Sequence, residues 1–528
     1  MSKAEAEKKE TMKILTLEQL RAAEQAALAA EQISNLDLMQ RAAQTFADWL
    51  AEQFPIGEYQ WLSFLCGSGN NGGDGLAAAR ILAELGYGVE VFIYRLNRET
   101  EDFLDQYEAL KANGEVEITE ILSLADLPLF DEREIIVDAL LGSGLNRPLE
   151  GELAEIVDAI NQCPNIILAL DCPTGLQAEQ PTISSSIRAD YTLSFETPRF
   201  AFMFPDNYDR VGEFHFRSIG LPKEFIANLP AHNYYVTPKT IANIYQKRGK
   251  YAHKGLFGHA LLIMGSHGKM GAAILATRAC LRAGAGLVTV HVPSCGYEVI
   301  QGAVPEAMVN LDDDRYVFTR IYDLQKYNTI AIGCGLSTKN KTRNALCYLL
   351  KQRDTPTVLD ADALNILAQS PDWWEYIPKQ SILTPHPKEF ERMFGRSHNN
   401  FERYELLRQK AMELDVYIIL KGANSCIATP EGNCYFNSTG NPGMGTAGSG
   451  DVLTGILTGL LAQPYSPLEA CILGVYVHGL AGDLAVIEKS QEGLMAGDLI
   501  DYLGKAFLAL NPKRKKIQNK VENKRPIV

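Results

Sequence analysis

The sequence predicts an α/β protein with two domains of different design. Short apolar runs such as WLSFLC, EIIVDALL and NIILALD alternate with helical stretches, and a second alternating series runs from HALLIMG to VYIILKG. This rhythm is typical of βαβ units and of largely parallel sheets. The pattern loosens at residues 220–250, between the two series. A chain of 528 residues is also too long for one ordinary core.

The composition is that of a globular protein and argues against a nucleic acid as partner. Hydrophobic residues make up 46% and charged residues 22% of the chain, and the formal net charge is −14. The ten cysteines form no C-x-x-C pair, which favours reduced thiols. No secretory apolar region and no membrane-length apolar run are found, so we expect a cytoplasmic protein without a membrane partner. Residues 511–528 predict a basic flexible tail, with an RNA or membrane contact as the alternative.

The first domain places oxygen-bearing side chains where its predicted strands end. The loop GSGNNGGDG follows WLSFLC and contains a G-x-G-x-x-G pattern, but a dinucleotide dehydrogenase would need an acidic residue where this chain has Arg95. Asp138 lies near the end of the later strand EIIVDALL, and Asp171 and Thr174 stand at the end of the strand NIILALD and just after it. Because the carboxyl ends of parallel strands share one edge of the sheet, we expect these groups to converge on a ligand. The alternative is that these residues only form structural turns between strands and helices.

The motifs NNGGDG, VDALLGSGL-x-RPL, LDCPTGL and ADYTLSFETPRF together resemble the epimerase half of the bifunctional NAD(P)H-hydrate repair enzymes, the YjeF family. The resemblance implies a Rossmann-like three-layer α/β/α domain over residues 1–225 that interconverts the R and S epimers of hydrated NADH and NADPH. It also implies the residues that cradle the hydrate, namely Asn70, Asn71, Gly72, Gly73, Asp74, Gly142, Ser143, Gly144, Leu145, Asn146, Arg147, Pro148 and Asp171.

The same resemblance assigns two kinds of chemistry in this domain. Asp171 would touch the reacting nicotinamide ring as a catalytic residue, where a carboxylate can donate or accept a proton. A potassium ion would be bound by Asn71, Asp138 and Thr174. The family usually has serine at the position of Thr174, and threonine keeps the hydroxyl that the potassium site needs.

The second domain contains the stretch NPGMGTAGSGD, residues 441–451, followed by an apolar sequence typical of a helix. Glycines let a backbone approach a ligand closely, and free amides at a helix start bind phosphate. An aspartate beside such a phosphate suits a base that deprotonates the hydroxyl to be phosphorylated. Asp451 is therefore a candidate base, and a glycine-rich turn with Asp451 as helix cap is the alternative.

This stretch and the motifs HKGLFGHALLIMGSHGKMGAA, RAGAGLVTV, VLDADAL, LTPHPKEF and LKGANS resemble the dehydratase half of the same family. The resemblance implies a ribokinase-like α/β domain over residues 237–510 that phosphorylates the hydrate hydroxyl from ADP, with Mg²⁺, and then eliminates phosphate. It places at the hydrate Ala272, Gly335, His386 and the catalytic Asp451, and at the nucleotide Lys421, Gly422, Ala423, Asn424, Ser425 and Gly450.

The family also implies a homo-oligomer, a tetramer or higher. Cys334 stands in GCGLS where the family commonly has proline, and we expect this change to shift affinity modestly. Two other functions remain open from the residues themselves. A small-molecule kinase of the hydroxymethylpyrimidine or pyridoxal type would explain the second domain alone, and a nucleotide-binding regulator without catalysis would need no base.

Overall fold

The computed structural model describes residues 11–510 apart from 58, 60, 97 and 146. The chain divides into two compact units. The N-terminal unit comprises Lys13–Ala231 with Asn399–Phe401, and the C-terminal unit comprises His232–His398 and the chain from Glu402 onwards. The division between Ala231 and His232 lies within the stretch 220–250, where the sequence pattern loosens. The basic tail lies outside the described residues.

The N-terminal unit is built on a sheet of seven parallel strands. After the short strand β1 (Met12–Lys13), its strands are β2 (Trp61–Gly67), β3 (Gly88–Tyr94), β4 (Glu117–Ile121), β5 (Ile135–Ala139), β6 (Ile166–Leu170), β7 (Tyr191–Phe195) and β8 (Glu213–Arg217). Their order is β4-β3-β2-β5-β6-β7-β8, and every neighbouring pair is parallel. The order reverses between β2 and β5, as in a Rossmann-type sheet. The predicted parallel α/β fold is confirmed.

Helices cover both faces of this sheet. The α-helices are Leu17–Glu31, Asn35–Gln53, Asn70–Glu84, Glu101–Asn113, Glu152–Ile160, Tyr208–Val211 and Lys223–Asn228. Phe64 and Val137 pack with Phe46 in one core, whereas their chain neighbours Leu65 and Ile136 belong to a second core. Alternate residues of a strand point to opposite faces, so both faces of the sheet are buried. The unit therefore has three layers.

Local capping fixes where the first two helices begin. The Thr16 hydroxyl accepts a hydrogen bond from the amide of Gln19, whose side chain accepts from the Thr16 amide. Ser34 and Asp37 form the same reciprocal pair at the start of the second helix. Such capping boxes satisfy amides that have no partner within the helix.

The C-terminal unit has a larger mixed sheet. Its strands are β9 (Asn233–Tyr235), β10 (His259–Ile263), β11 (Leu287–Pro293), β12 (Met308–Asp312), β13 (Thr329–Ile332), β14 (Thr357–Leu359), β15 (Ile382–Leu383), β16 (Tyr417–Leu420), β17 (Cys426–Ala428) and β18 (Cys434–Phe436). The short strand β1 also belongs to this sheet, whose order is β1-β9-β18-β17-β16-β15-β14-β13-β10-β11-β12. The pairs from β16 to β12 are parallel, whereas β17 pairs antiparallel with both β16 and β18.

The α-helices of this part of the chain include three long ones that follow the glycine-rich stretch. The full set is Pro238–Ile244, Met270–Ala283, Tyr297–Ala303, Asn340–Gln352, Asp362–Ala368, Pro387–Phe394, Asn400–Leu414, Ser449–Leu461, Pro467–Lys489 and Ala496–Ala509. Among the described residues, only Pro467–Lys489 is long and apolar enough to cross a membrane, and most of it is buried inside the unit. We interpret it as a core helix.

Two glycines allow the helix Ser449–Leu461 to pack closely against the helix Met270–Ala283. A Cβ atom on Gly455 would lie 2.2 Å from the carbonyl oxygen of Ala276, and one on Gly459 would lie 2.6 Å from that of Cys280. Neither position has room for a side chain, because each faces the backbone of the neighbouring helix. The close approach of these two helices sets the position of the glycine-rich stretch that precedes the first of them.

Candidate active sites

A cavity of about 430 Å³ opens in the N-terminal unit beyond the ends of β2, β5 and β6. This is the point where the strand order reverses, the usual ligand position in such sheets. The cavity is lined by eight of the residues that the sequence predicts for hydrate binding, namely Asn70, Asn71, Asp74, Gly142, Ser143, Gly144, Leu145 and Asp171.

The glycines of the first loop are required by close backbone contacts. A Cβ on Gly72 would lie 1.6 Å from the carbonyl oxygen of Gly67, and one on Gly67 would lie 2.0 Å from that of Leu140. Gly72 and Gly73 are buried behind the loop and do not line the cavity. Their role is to let the loop pack against the strand ends, so that the asparagines beside them face the cavity.

Asp138 and Thr174 form a buried pair below the cavity. The Thr174 hydroxyl lies 2.6 Å from Oδ1 of Asp138, and the Thr174 amide donates to Oδ2 at 2.7 Å. The amide of Leu140 also donates to Oδ1, at 3.2 Å. Burial raises the pKa of Asp138 to about 6, and these hydrogen bonds oppose the rise. Among the described residues, no lysine or arginine bonds to this carboxylate.

Asp171 is held by a buried arginine that the sequence motifs did not single out. Nη2 of Arg199 forms a short ion pair with Oδ1 of Asp171, and its Nη1 donates to the carbonyl oxygens of Phe195 and Thr197, both at 3.3 Å. Asp171 also has a positive φ of 68°, a conformation that aspartate tolerates better than most residues. The carboxylate is therefore fixed in one orientation at the cavity wall.

The sequence analysis also did not predict other charged residues that line the cavity. Arg21 and Glu24, from the helix Leu17–Glu31, line it together with Glu196. Arg199 stands in the quoted motif ADYTLSFETPRF, so it could have been found from that motif. Arg21 and Glu24 could not, because in the sequence they look like solvent-facing residues of an alanine-rich helix. Of the remaining predicted residues, Arg147 and Pro148 do not line the cavity, and Asn146 lies outside the described residues.

The second candidate site lies at the start of the helix Ser449–Leu461. Gly448 has a φ of 92°, and a Cβ there would lie 2.6 Å from Leu275, so glycine is needed at this cap. Asp451 stands in the first turn of the helix and is half-buried. Burial, aided by the negative charge of Asp360, raises the pKa of Asp451, although a hydrogen bond with Cys334 and the charge of Lys421 oppose the rise.

Lys421 brings a positive charge to the same helix start. A Cβ on Gly450 would lie 3.4 Å from Nζ of Lys421, so the ammonium lies beside the glycine-rich backbone. Nζ lies 3.0 Å from Oδ1 of Asp360 and 4.0 Å from Oε2 of Glu389. Burial would lower the pKa of Lys421, but these two carboxylates outweigh it and raise the pKa. An ammonium and free helix amides together suit a phosphate group.

Further contacts hold the glycine-rich stretch in place. The amide of Gly440 and the side-chain amide of Asn441 donate to Asp483, at 2.9 and 3.0 Å. At the other end, Nε2 of His478 lies 3.1 Å from the carbonyl oxygen of Ser449. Burial lowers the pKa of His478 to about 4, which leaves a neutral imidazole that donates this bond. The loop is thus anchored at both ends to the helix Pro467–Lys489.

Of the residues predicted to bind the hydrate in this unit, the structure brings Ala272 and Gly335 into contact. A Cβ on Gly335, whose φ is 64°, would lie 3.1 Å from Cβ of Ala272, so the two positions are in contact. His386 caps the helix Pro387–Phe394, because its Nδ1 accepts from the amides of Lys388 and Glu389 at 3.2 and 3.3 Å. Burial lowers the pKa of His386, although Glu389 opposes this.

The predicted nucleotide loop follows β16 as a tight exposed turn. The amide of Gly422 donates to the Ser425 hydroxyl at 3.2 Å, and Gly422 and Ala423 are exposed. The sequence prediction missed three polar partners of this site, namely Asp360, Glu389 and Thr454. Asp360 and Glu389 stand in the quoted motifs VLDADAL and LTPHPKEF, so those motifs contained the signal.

Cys334 is buried, and its sulfur lies 3.9 Å from Oδ2 of Asp360. Burial raises the pKa of this thiol well above its usual range, with the charges of Asp360 and Asp451 adding to the effect. The thiol is thus a neutral group packed between the two carboxylates. Its position explains how cysteine is accommodated in GCGLS.

Comparison with known proteins gives consistent results for both halves. Residues 35–201 match the family described as YjeF-related protein N-terminus, and residues 260–505 match the family described as NAD(P)H-hydrate dehydratase. A bifunctional NAD(P)H-hydrate repair enzyme of Thermofilum pendens is 36% identical over 471 residues, which cover 84% of this chain and 87% of that protein. The Coxiella burnetii enzyme of the same name is 35% identical over 488 residues, with coverage of 89% and 94%.

A solved structure is similar to the C-terminal half. An ADP/ATP-dependent NAD(P)H-hydrate dehydratase of Bacillus subtilis, co-crystallised with ATP and Mg²⁺, is 33% identical and covers 52% of this chain and 98% of its own. Its TM-score is 0.47. The match of both halves, and the identity to full-length relatives over most of the chain, show that the chain belongs to the family of bifunctional NAD(P)H-hydrate repair enzymes.

Proposed function

We propose that this chain repairs hydrated NADH and NADPH in two steps, one in each unit. The N-terminal unit exchanges the R and S epimers of the hydrate, and the C-terminal unit dehydrates the S epimer with ADP, which becomes AMP and phosphate. The observation that carries this proposal is Asp451 at a glycine-rich helix start, beside Lys421, in a chain whose other unit has a separate cavity around Asp171.

Dehydration needs activation because hydroxide is a poor leaving group. In the proposed reaction Asp451 takes the proton of the hydrate hydroxyl, and the hydroxyl oxygen attacks the terminal phosphorus of ADP. The amides of residues 447–450 and the ammonium of Lys421 stabilise the charge on the transferred phosphate. Phosphate then leaves with the C–O bonding electrons, a ring proton is lost, and the double bond of the nicotinamide ring is restored.

The same proposal assigns the binding residues of the C-terminal unit. Ala272, Gly335 and His386 would contact the hydrate, and the contact between the positions of Gly335 and Ala272 supports this assignment for those two residues. The nucleotide would be held by Gly450 and by the turn after β16, namely Lys421, Gly422, Ala423, Asn424 and Ser425. Mg²⁺ is taken to arrive with the nucleotide.

In the N-terminal unit the cavity would bind the nicotinamide end of the hydrate. Asp171, oriented by Arg199, would face the reacting ring, and the loops that begin at Asn70 and Gly142 would form the cradle. We include Arg147 and Pro148 with these loops, although they stand outside the cavity wall. A bound substrate that extends past the wall would reach them.

Potassium is part of the proposal for this unit. Asp138 supplies a buried carboxylate that no described lysine or arginine pairs with, the Thr174 hydroxyl lies 2.6 Å from it, and Asn71, which lines the cavity, would add an amide oxygen. Such oxygen ligands fit a hard cation. A bound K⁺ would neutralise Asp138 and hold the loops after β2, β5 and β6 together. Stabilisation of the unit against heat by KCl, but not by NaCl, would test this assignment.

The function is tested with an R/S mixture of hydrated NADH, Mg²⁺, K⁺ and ADP, by following the absorbance of the reduced nicotinamide ring. Complete recovery, faster than the epimers exchange unaided, is expected because both activities are present. Recovery that stops when the S epimer is consumed would refute the epimerase. A stable phosphorylated product would instead identify a small-molecule kinase, and binding of ADP without any reaction would identify a regulator. Assembly into a homo-oligomer, a tetramer or higher, is checked by light scattering.

A further inference from the structure

The ion pair of Asp171 leaves the epimerase cavity without an obvious proton donor. Asp171 forms an ion pair with Arg199, and a carboxylate held in an ion pair is placed to accept a proton rather than to give one. Exchange of a hydroxyl between two faces of a ring carbon needs both functions, because the departing oxygen must be protonated and the arriving water deprotonated. A second titratable group of the cavity must therefore supply the acid.

Asp74 has the environment of a carboxylic acid that stays protonated. It lines the cavity from the helix Asn70–Glu84, and no described residue donates a hydrogen bond to its carboxyl group. The charged groups that act on it are Asp171, Glu24 and Asp102, and all three are acidic. Burial first, and then these like charges, raise the pKa of Asp74 well above its usual value.

Glu24 is the competing carboxyl group of the cavity. Burial and the charge of Asp171 raise its pKa, but Arg199 and Arg21 oppose the rise. No cation is among the groups that act on Asp74. Glu24 lies one helical turn from Arg21 on the helix Leu17–Glu31, whereas no described lysine or arginine forms an ion pair with Asp74, so the surroundings favour Asp74 as the neutral acid. Pairs of carboxyl groups in contrasting environments commonly divide acid and base roles in this way.

We propose that Asp74 is the catalytic acid of the epimerase, which protonates the hydroxyl of the bound hydrate. This assignment rests on the proposed function. The proton of Asp74 passes to the hydroxyl oxygen, the C–O bond breaks with its electrons on the departing water, and the lone pair of the ring nitrogen forms a C=N bond. A water then adds from the opposite face, the C=N electrons return to nitrogen, and Asp171 takes the proton of that water. Solvent exchange returns the proton to Asp74, so no other reactant is needed.

The test uses chromatography to follow the conversion of the pure S hydrate to the R hydrate. No nucleotide is added, so the dehydratase is inactive. Asp74→Asn, Asp74→Glu, Glu24→Gln and wild type are compared, with Glu18→Gln as the matched control because Glu18 is exposed on the same helix as Glu24. Hydrogen exchange of the strands around the cavity reports that the N-terminal unit of each variant is folded, and ADP-dependent dehydration of the S hydrate reports the same for the C-terminal unit.

We expect Asp74→Asn to lose a factor of about 10² to 10⁴ in epimerisation, the usual contribution of one acid–base group. Asp74→Glu should recover part of the rate, Glu24→Gln should lose less than Asp74→Asn, and Glu18→Gln should stay near wild type. The wild-type rate should fall as pH rises through the pKa of Asp74, and Asp74→Asn should lack that fall. A normal rate in Asp74→Asn, or a loss confined to Glu24→Gln, would overturn the assignment. Failure of wild type to accelerate the exchange would refute the epimerase function itself.

Discussion

Nζ of Lys421 lies 3.0 Å from Oδ1 of Asp360, whose Oδ2 accepts a hydrogen bond from the Thr454 hydroxyl at 2.7 Å. Asp360 is 2% exposed. Thr454 belongs to the helix that begins at the glycine-rich stretch, and Lys421 ends β16. One buried carboxylate thus links the lysine to the helix, and this link keeps the ammonium beside the amides of the helix start.

Replacement of Asp360 by asparagine should weaken ADP binding and slow phosphate transfer in the C-terminal unit. Lys421 loses its ionic partner, so we expect a lower kcat and a higher KM for ADP, with kcat/KM reduced about 10- to 100-fold, since a buried charge-assisted hydrogen bond contributes about 1.5–3 kcal/mol. The charge of Asp360 also helps raise the pKa of Asp451, so the acid limb of the pH–rate profile should move to lower pH. Asp354→Asn, at an exposed position, is the control. An unchanged pH profile would contradict this role.

Replacement of Asp451 by asparagine should abolish dehydration and spare epimerisation. The base is lost, so kcat should fall by a factor of about 10² to 10⁴. In wild type the base works in its ionised form, so the dehydration rate should fall as pH drops through the pKa of Asp451, which burial raises above 3.8. Both activities are measured on the same sample. Parallel loss of the two activities would point to misfolding and against a base.

Replacement of Arg199 by methionine should destabilise the N-terminal unit. It leaves Asp171 buried without its cation, a change that typically costs about 3–5 kcal/mol. Hydrogen exchange of the strands around the cavity measures the effect in the full chain. Arg199→Lys keeps the charge and should retain more stability and more epimerisation. Equal protection of wild type and Arg199→Met would show that the ion pair adds no stability.

Replacement of Gly455 by alanine should destabilise the C-terminal unit although alanine is the better helix former. The added Cβ would lie 2.2 Å from a backbone oxygen of the neighbouring helix, and relief of such overpacking typically costs about 1–3 kcal/mol. Gly504→Ala is the matched control, because Gly504 is helical, exposed and has no atom within 4 Å of a Cβ. We expect the control to be neutral or stabilising. The midpoint of urea unfolding, followed by far-UV circular dichroism, compares the two.

The sequence alone predicts the two α/β domains and the loops that form both sites. Alternation of apolar runs with helical stretches reports local periodicity, and glycines such as Gly67, Gly72 and Gly448 mark backbone that has no room for side chains. Those signals are short-range, so they can be read without a structure. Asn71, Asp138, Asp171 and Asp451 were found in this way, because each stands where a predicted strand ends or a predicted helix begins.

Only the tertiary structure decided which charged groups meet. Asp171 pairs with Arg199, and Lys421 with Asp360, across 28 and 61 residues of sequence. No described lysine or arginine forms an ion pair with Asp74, although Arg21 and Arg199 line the same cavity. Protonation states depend on such long-range neighbours and on burial, since both change the energy of a charge far more than the local sequence does. The sequence therefore determined which loops carry the candidate site residues, and the packing decided which charged groups each carboxyl group meets.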